Sequence, residues 1–309
     1  MSIHPSLVCL IIPCFNERET ILRFLDEVFE ISDQLSTEFR VVVIDDGSID
    51  NTLDLLIEYK AQHKRENLII IPLDFNVGHQ KAIYQGLLYA NQQNFEHAII
   101  MDGDGEDDPK AIPRLLEMAS DYDIIHVKRG KRKESVWFRL AYKIYKLLFW
   151  FITRKSMTFG NYCLISKKVI KNLKEVSFIH LAAKLSKLKV KSSKITYDRR
   201  SRIDGKSKMN LNSLIVHAFL SFIEYSNELL MMFLRLFILL IFIFSLSIAT
   251  IIYLKLFTDQ AILGWASNLT LGFLNASLIC LGIFLIGLLI LNLMQKMENH
   301  QKQLFTAIH

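Results

Sequence analysis

Four short apolar runs near the N-terminus alternate with stretches in which apolar residues recur at helical spacing. The apolar runs cover residues 7–13, 40–44, 67–72 and 97–101. The helical stretches between them cover residues 19–35, 51–63 and 79–93. Short buried strands that alternate with helices are typical of βαβ units. The pattern therefore predicts an α/β domain with a Rossmann-like, mainly parallel sheet.

Two longer apolar segments lie near the C-terminus, at residues 236–254 and 271–293. Neither contains a Lys, Arg, Asp or Glu residue. Each is close to the length of roughly 20 residues that a helix needs to cross a bilayer. We therefore expect two C-terminal transmembrane helices, and a pair of buried core helices is the alternative interpretation.

Residues 136–152 combine aromatic residues with a cationic stripe formed by Arg139, Lys143 and Lys146. This mixture favours an interfacial amphipathic helix lying in the plane of the membrane, and the alternative is a core helix with solvated lysines. A second amphipathic segment, residues 211–234, leads into the first apolar segment. The predicted organisation is an α/β domain at 1–210, a juxtamembrane helix at 211–234 and a transmembrane part at 235–309.

The net charge of +6 conceals a strong asymmetry along the chain. Residues 1–127 carry 9 Lys and Arg against 23 Asp and Glu, whereas residues 128–208 carry 24 against 4. A basic block close to membrane spans is typical of a segment that faces anionic lipids on the cytoplasmic side. Nucleic acid is the competing partner, and we expect none because the chain shows no nucleic-acid motif. We therefore expect a multi-pass protein of the inner (plasma) membrane whose α/β domain is cytoplasmic.

Polar residues follow each of the four predicted strands. They are Asn16 and Glu17, Asp45 and Asp46, Asp74 and Asn76, and Asp102 and Asp104. In sheets of this kind, ligands bind beyond the carboxyl ends of the strands. The sequence therefore predicts one site at this edge, with contributions from four loops.

The fourth of these loops is strongly acidic and reads Asp-Gly-Asp-Gly-Glu at residues 102–106. Carboxylates crowded at the end of a buried strand are typical ligands of a divalent cation that is shared with a phosphate-bearing substrate. Asp104 and Glu106 could hold Mg²⁺ or Mn²⁺ and leave coordination positions for a diphosphate. A capped turn with solvated acids is the alternative interpretation.

Four motifs carry a resemblance to a known family. They read IIPCFNE at 11–17, VIDDGSIDNT at 43–52, NVGHQKA at 76–82 and DGDGEDDP at 102–109. In this order they resemble the family 2 glycosyltransferases, which have the GT-A fold. Residues 202–208 (RIDGKSK) are similar to the R-x-x-G-x-S-K segment of the polyprenyl-phosphate branch, the dolichol-phosphate mannose synthase group.

The resemblance implies roles for individual residues. Catalytic roles are implied for Asp102, Asp104, Arg202 and Lys208. The metal ligands implied are Asp104 and Glu106, assisted by Asp102. Nucleotide-sugar binding is implied for Pro13, Asn16, Glu17, Asp45, Asp46, Gly78, Lys81, Asp102, Arg129 and Ser207. Position 106 carries Glu where the family usually has Gln, which adds negative charge to the metal site.

Three further sequence features have more than one interpretation. Arg202, Ser207 and Lys208 would close over a phosphate, or belong to a basic loop at the membrane surface. The basic run of Arg129, Lys131 and Arg132 would bind phosphate or face lipid. A lone histidine such as His79, with no acid paired to it in the sequence, is expected to be structural rather than catalytic.

The function implied by the resemblance is inverting, metal-dependent transfer of a sugar from a UDP- or GDP-sugar to a polyprenyl phosphate at the cytoplasmic face of the membrane. The first alternative is a membrane glycosyltransferase with another lipid or glycan acceptor. The second is an inactive GT-A domain that serves as a membrane scaffold. Gly282 and Gly287 lie in the second apolar segment and could permit close helix packing, so we also expect association into a homo-oligomer.

Overall fold

The computed structural model describes residues 7–129, 136–153, 160–175, 178–197, 220, 222–258, 264–297 and 308. These residues fall into two compact units. The sheet unit contains the described residues up to Tyr145 and those from 160 to Glu224. The apolar unit contains residues 146–153 and the described residues from Tyr225 to 297.

A seven-stranded mixed sheet forms the centre of the sheet unit. Its strands are β1 (Leu7–Cys14), β2 (Glu38–Asp45), β3 (Leu68–Pro72), β4 (His97–Ile100), β5 (Ile124–Arg129), β6 (Cys163–Ser166) and β7 (Ser192–Tyr197). They lie in the order β3-β2-β1-β4-β6-β5-β7. Strand β6 runs antiparallel to both of its neighbours, and the other pairs are parallel. The predicted α/β class with a mainly parallel sheet is therefore confirmed.

Seven helices precede the two long C-terminal ones in the described chain, and they agree with the periodicity wherever the sequence predicted a helix. They are α1 (Ile21–Asp33), α2 (Thr52–His63), α3 (His79–Gln92), α4 (Ile112–Glu117), α5 (Val136–Thr153), α6 (Lys167–Glu175) and α7 (Leu181–Lys187). The runs at 7–13, 40–44, 67–72 and 97–101 form β1 to β4, and the stretches between them form α1 to α3. These seven elements place four loops at one edge of the sheet.

The first four strands are continuous apolar runs because helices cover both faces of the sheet, so that side chains on both faces are buried. On one face, Phe24 and Val28 of α1 pack in the same core cluster as Leu10 of β1. On the other face, α3 approaches β1 closely, and a Cβ added to Gly86 would collide with the side chain of Ile11. Gly86 therefore allows α3 to lie directly against β1.

Two long helices make up most of the apolar unit, Ser226–Phe257 and Gly264–Met297. Both contain windows long and apolar enough to cross a membrane, in agreement with the two expected spans. Residues 226–234 of the predicted juxtamembrane segment belong to the first of these helices. A Cβ at Gly287 would collide with Leu230, so this glycine packs the two helices of one chain against each other.

Helix α5 covers the segment predicted to be interfacial. Its second half exposes the large apolar side chains of Leu147, Leu148, Trp150 and Phe151. Phe149, in contrast, is buried and makes an edge-to-face contact with Tyr225. An interfacial position remains a prediction, and the exposed aromatic face is the feature that it requires.

Candidate functional site

The loops that follow β1 and β2 are joined by reciprocal hydrogen bonds. The Asn16 backbone N–H donates to Ser48 Oγ at 2.9 Å, and the Ile49 N–H donates to Asn16 Oδ1 at 2.9 Å. The Glu17 N–H donates to Thr52 Oγ1 at 3.1 Å. Asn16 has a positive φ of 53°, a conformation that asparagine tolerates better than most residues. The two loops therefore form one fixed rim.

Asp46 joins this rim to the loop after β3. Its Oδ1 accepts the Val77 N–H at 2.7 Å, and its Oδ2 accepts the Gly78 N–H at 3.0 Å. The neighbouring Gly47 has φ +66°, and a Cβ there would lie 2.7 Å from the Phe75 carbonyl carbon. The structure thus places Asp46 at the predicted site, with both carboxylate oxygens bonded to the protein's own backbone.

Asp45 lies at the end of β2 and is only 2% exposed. Its Oδ2 accepts the Ser48 N–H at 3.2 Å. Burial raises the pKa of Asp45 above its ordinary value, although the hydrogen bonds from Ser48 act in the opposite direction. Buried acids with perturbed pKa values cluster at functional sites, so Asp45 remains a good candidate for contact with a ligand.

The acidic loop after β4 folds back on itself through short-range hydrogen bonds. The Asp102 N–H donates to Asp107 Oδ2 at 3.0 Å, and the Glu106 N–H donates to Asp104 Oδ1 at 3.0 Å. The hydroxyl of Tyr162, the residue just before β6, anchors the loop by donating to the Asp108 carbonyl at 2.8 Å. The segment is therefore a structured turn whose carboxylates occupy defined positions.

The chemistry of this loop fits a divalent cation such as Mg²⁺ or Mn²⁺. Asp102, Asp104 and Glu106 supply the hard carboxylate oxygens that these ions prefer. Within the described residues, no three His, Cys, Asp or Glu side chains form a preassembled metal site. One or two carboxylates are sufficient when substrate phosphates complete the coordination sphere, so the donor set suits an ion that arrives with a diphosphate.

His79, the first residue of α3, reaches the acidic loop. Its Nε2 lies 3.2 Å from Asp102 Oδ1 and 3.1 Å from Asn161 Nδ2. Burial lowers the pKa of His79, but the charges of Asp102, Asp104 and Asp107 outweigh it, so the net shift is upward. The sequence predicts a structural role for His79 because no acid is paired with it there, and the structure supplies that acid in Asp102.

The remaining predicted residues are less fully defined. Pro13 is buried within β1, Gly78 has φ +92°, and Lys81 is exposed in the first turn of α3. Arg129 is the last residue of β5, and its side chain lies outside the described part of the structure. Five predicted phosphate-binding residues also lie outside the described residues, namely Lys131, Arg132, Arg202, Ser207 and Lys208.

The family model described as "Glycosyl transferase family 2" matches residues 9–172, which is more than half of the chain. The chain belongs to glycosyl transferase family 2. The matched region runs from β1 into α6 and includes the whole acidic loop and His79. The family resemblance and the assignment as a glycosyltransferase are thereby confirmed.

Similarity to other glycosyltransferases extends beyond the matched domain. The chain is 27% identical to "Uncharacterized glycosyltransferase YkcC" of Bacillus subtilis (strain 168) over 292 residues, which is 90% of this chain and 86% of that protein. It is 33% identical to "Undecaprenyl-phosphate 4-deoxy-4-formamido-L-arabinose transferase" of Photorhabdus laumondii over 156 residues, 50% of this chain and 46% of that one. The Yersinia pestis protein of the same name is 27% identical over 67% of this chain and 64% of its own length. The chain thus spans about half to two thirds of these two transferases.

Solved structures support the fold. Glucosyl-3-phosphoglycerate synthase from Mycobacterium tuberculosis, in complex with Mn²⁺, uridine diphosphate and phosphoglyceric acid, superposes with a TM-score of 0.54. The match covers 72% of this chain and 78% of that one at 14% identity. At this identity the likeness establishes the GT-A-like fold, and the ligands of the neighbour remain properties of that protein.

Proposed function

We propose that this protein transfers a sugar from a UDP- or GDP-sugar to a polyprenyl phosphate at the cytoplasmic face of the cell membrane, with inversion at the anomeric carbon. The observation that carries the proposal is the edge of the sheet at which four loops meet around Asp45, Asp102 and Asp104. The two apolar helices and the relatives named as undecaprenyl-phosphate transferases favour a lipid acceptor.

The rim gives each end of a nucleotide-sugar a suitable environment. Asp45 offers a buried carboxylate to hydrogen-bond donors of a base or ribose. The acidic loop suits the diphosphate only when a cation lies between them, because Asp102, Asp104 and Glu106 would otherwise repel its charge. Bound Mg²⁺ or Mn²⁺, held by Asp104 and Glu106 with Asp102 nearby, would stabilise the negative charge on the leaving nucleoside diphosphate.

The transfer step needs little proton chemistry. An oxygen of the acceptor phosphate forms a bond to the anomeric carbon as the bond from that carbon to the diphosphate breaks, and the nucleoside diphosphate leaves. A phosphate monoester is already anionic at neutral pH, so a general base is not required to generate the nucleophile. The residues expected to receive the acceptor phosphate are Arg202, Ser207 and Lys208.

The experiment is nucleoside diphosphate release by the purified full-length chain with Mn²⁺. A panel of UDP- and GDP-sugars is offered with and without undecaprenyl phosphate. We expect release that depends on the lipid phosphate with one donor class. Release without the lipid, or only with a different acceptor, would replace the acceptor assignment. No release from folded protein with any donor would favour the inactive scaffold.

The location proposed for α5 has its own test. The full chain, with its other tryptophans replaced by phenylalanine, is reconstituted into vesicles that contain bromine-labelled lipids. We expect quenching of Trp150 emission, because this side chain is 47% exposed on the apolar face of α5. Emission that matches fully aqueous tryptophan and resists quenching would exclude an interfacial position.

A further inference from the structure

The acidic loop after β4 is anchored at both of its ends. At its start, the Met101 N–H donates to a backbone carbonyl of β1 at 3.1 Å. At its end, the Tyr162 hydroxyl donates to the Asp108 carbonyl at 2.8 Å, and the Tyr197 hydroxyl donates to the Lys110 carbonyl at 3.2 Å. Backbone groups thus hold the start of the loop, and two tyrosine side chains hold its end.

Both tyrosines belong to backbone that the sheet fixes. Tyr162 lies just before β6, its carbonyl accepts the Val127 N–H of β5 at 3.0 Å, and its side chain is only 2% exposed. Tyr197 is the last residue of β7 and pairs with Arg129 of β5. Strands β6 and β7 are the two neighbours of β5 in the sheet. The two tyrosines therefore flank β5, and each hydroxyl reaches the loop from a fixed position.

The anchored end is continuous with the turn that carries the carboxylates. Asp107 Oδ2 accepts the Asp102 N–H at 3.0 Å, so residue 107 closes the turn onto its own start. Asp108, the next residue, caps the short 3-10 helix Pro109–Ala111 by accepting the Lys110 N–H at 3.0 Å. Because the tyrosine hydroxyls bind the carbonyls of residues 108 and 110, they restrain the segment directly after this closure and so the turn itself.

This restraint matters because the turn holds several like charges. Asp102, Asp104 and Glu106 lie within five residues of each other, and Glu106 is only 7% exposed. Carboxylates held close together in a partly buried turn repel one another when no cation is bound. A loop with a free end would relax by moving them apart, and cation binding would then have to reverse that movement. A loop that is already in place avoids this cost.

We propose that Tyr162 and Tyr197 are positioning residues whose hydroxyls hold the end of the acidic loop, so that its carboxylates are in place for the cation that arrives with the donor diphosphate. This inference rests on the proposed function. Tyr162 should contribute more than Tyr197, because its hydrogen bond is shorter and its side chain is buried, whereas Tyr197 is half-buried. The two hydroxyls therefore support ligand binding as well as stability.

The test compares three Tyr→Phe variants of the full-length chain. Tyr162→Phe and Tyr197→Phe each remove one hydroxyl from the end of the loop. Tyr59→Phe is the matched control, because Tyr59 is also buried and its hydroxyl donates to Asp26 Oδ1 at 2.7 Å, which joins α2 to α1. Electron paramagnetic resonance measures Mn²⁺ binding in the presence of UDP or GDP, and circular dichroism measures thermal unfolding.

The variants should separate Mn²⁺ binding from stability. We expect Tyr162→Phe to weaken Mn²⁺ binding by about 3- to 10-fold, the effect of losing one hydrogen bond, and Tyr197→Phe to weaken it less. In the transfer assay, KM for the donor should rise in parallel, with KM for the acceptor unchanged. Tyr59→Phe should lower the melting temperature and bind Mn²⁺ as the wild type does. The double variant at 162 and 197 should bind Mn²⁺ more weakly than either single variant.

Three results would overturn the proposal. They are wild-type Mn²⁺ binding in Tyr162→Phe, equal weakening in Tyr59→Phe, and a wild-type chain that binds no Mn²⁺ with either nucleotide. If Tyr162→Phe does not fold, Tyr197→Phe decides in its place, because the half-buried Tyr197 is easier to replace. Absence of sugar transfer by a wild-type chain that binds Mn²⁺ is a different failure. It would remove the proposed function and leave the Mn²⁺ measurements as an independent test of the two tyrosines.

Discussion

The edge of the sheet that carries the candidate site has two halves, and these use the same residue types in different ways. On the β1–β3 side, Asp46 accepts two backbone N–H groups and Asn16 accepts a third, so these polar side chains bind the protein itself. On the β4 side, Asp102, Asp104 and Glu106 lie within five residues of each other. The first half is a frame that fixes loops, and the second concentrates negative charge for a ligand.

We therefore expect substitutions in the first half to affect mainly stability and substitutions in the second half to affect mainly activity. Substitutions in the frame should change the free energy of unfolding first, because they remove bonds that hold loops together. Substitutions in the acidic loop should change catalysis with little effect on folding, since like charges held close together are unfavourable until a cation binds them.

Asp104→Ala should have the largest effect, a loss of activity of roughly 100- to 1,000-fold or more, because it removes a carboxylate expected to bind the metal. The melting temperature should change little, because the lost hydrogen bond from the Glu106 N–H is offset by weaker repulsion among the carboxylates of the loop. Activity is measured as nucleoside diphosphate release and folding by circular dichroism. Asp121→Ala, at an exposed acid outside the loop, is the control. Full activity in Asp104→Ala would show that Asp104 is not a metal ligand.

Asp46→Ala should lower the free energy of unfolding by about 3 kcal/mol, since the N–H groups of Val77 and Gly78 lose a charged acceptor. Unfolding of the full chain in detergent is followed by circular dichroism. Glu66→Ala removes an exposed acid and should be neutral. If Asp46→Ala retained wild-type stability and lost only donor binding, Asp46 would belong with the ligand residues instead of the frame.

The sequence predicted the frame better than its contacts. The apolar runs at 7–13 and 40–44 locate β1 and β2, and the order of parallel strands brings their following loops together. The role of Asp46 as an acceptor for Val77 and Gly78 could not be predicted, because it depends on the path of a loop 31 residues away. Polar residues at strand ends indicate a site without showing which of them bind ligand.

The partners of the acidic loop were harder to predict for the same reason. His79 and Asp102 lie 23 positions apart, and Asn161 enters from the start of the antiparallel strand β6. Strands β5 to β7 were not predicted, and β7 has no buried apolar run because its positions alternate between exposed and half-buried. Without β6 in the sheet, no sequence pattern places Asn161 beside His79.

Asn16 offers a smaller test of the frame. Asn16→Gly keeps the positive φ available and removes the acceptor for the Ile49 N–H, so it should cost about 1 kcal/mol. Asn16→Ala also places a Cβ-bearing residue at φ 53° and should cost about 1–2 kcal/mol more. Thermal unfolding of both variants gives the comparison. Equal stability of the two would show that the loop relaxes away from this conformation.

Asp45→Asn should produce the smallest change in stability, and in the opposite direction. Because burial raises the pKa of Asp45 above 3.8, folding disfavours its ionised form, and wild-type stability falls as pH rises from 3.8 through the raised value. Asparagine keeps an acceptor for Ser48 and carries no charge, so the variant should lack this fall. We expect its melting temperature to exceed that of wild type at pH 7, with no difference at low pH.

The donor KM of Asp45→Asn should rise while its stability increases. A residue that costs stability and supports binding belongs to the ligand side of the edge, although it lies on a strand of the frame. The melting temperature across pH and the donor KM, measured together, therefore decide whether Asp45 belongs to the frame or to the ligand-binding half. A variant that is destabilised and keeps its donor KM would assign Asp45 to the frame with Asp46.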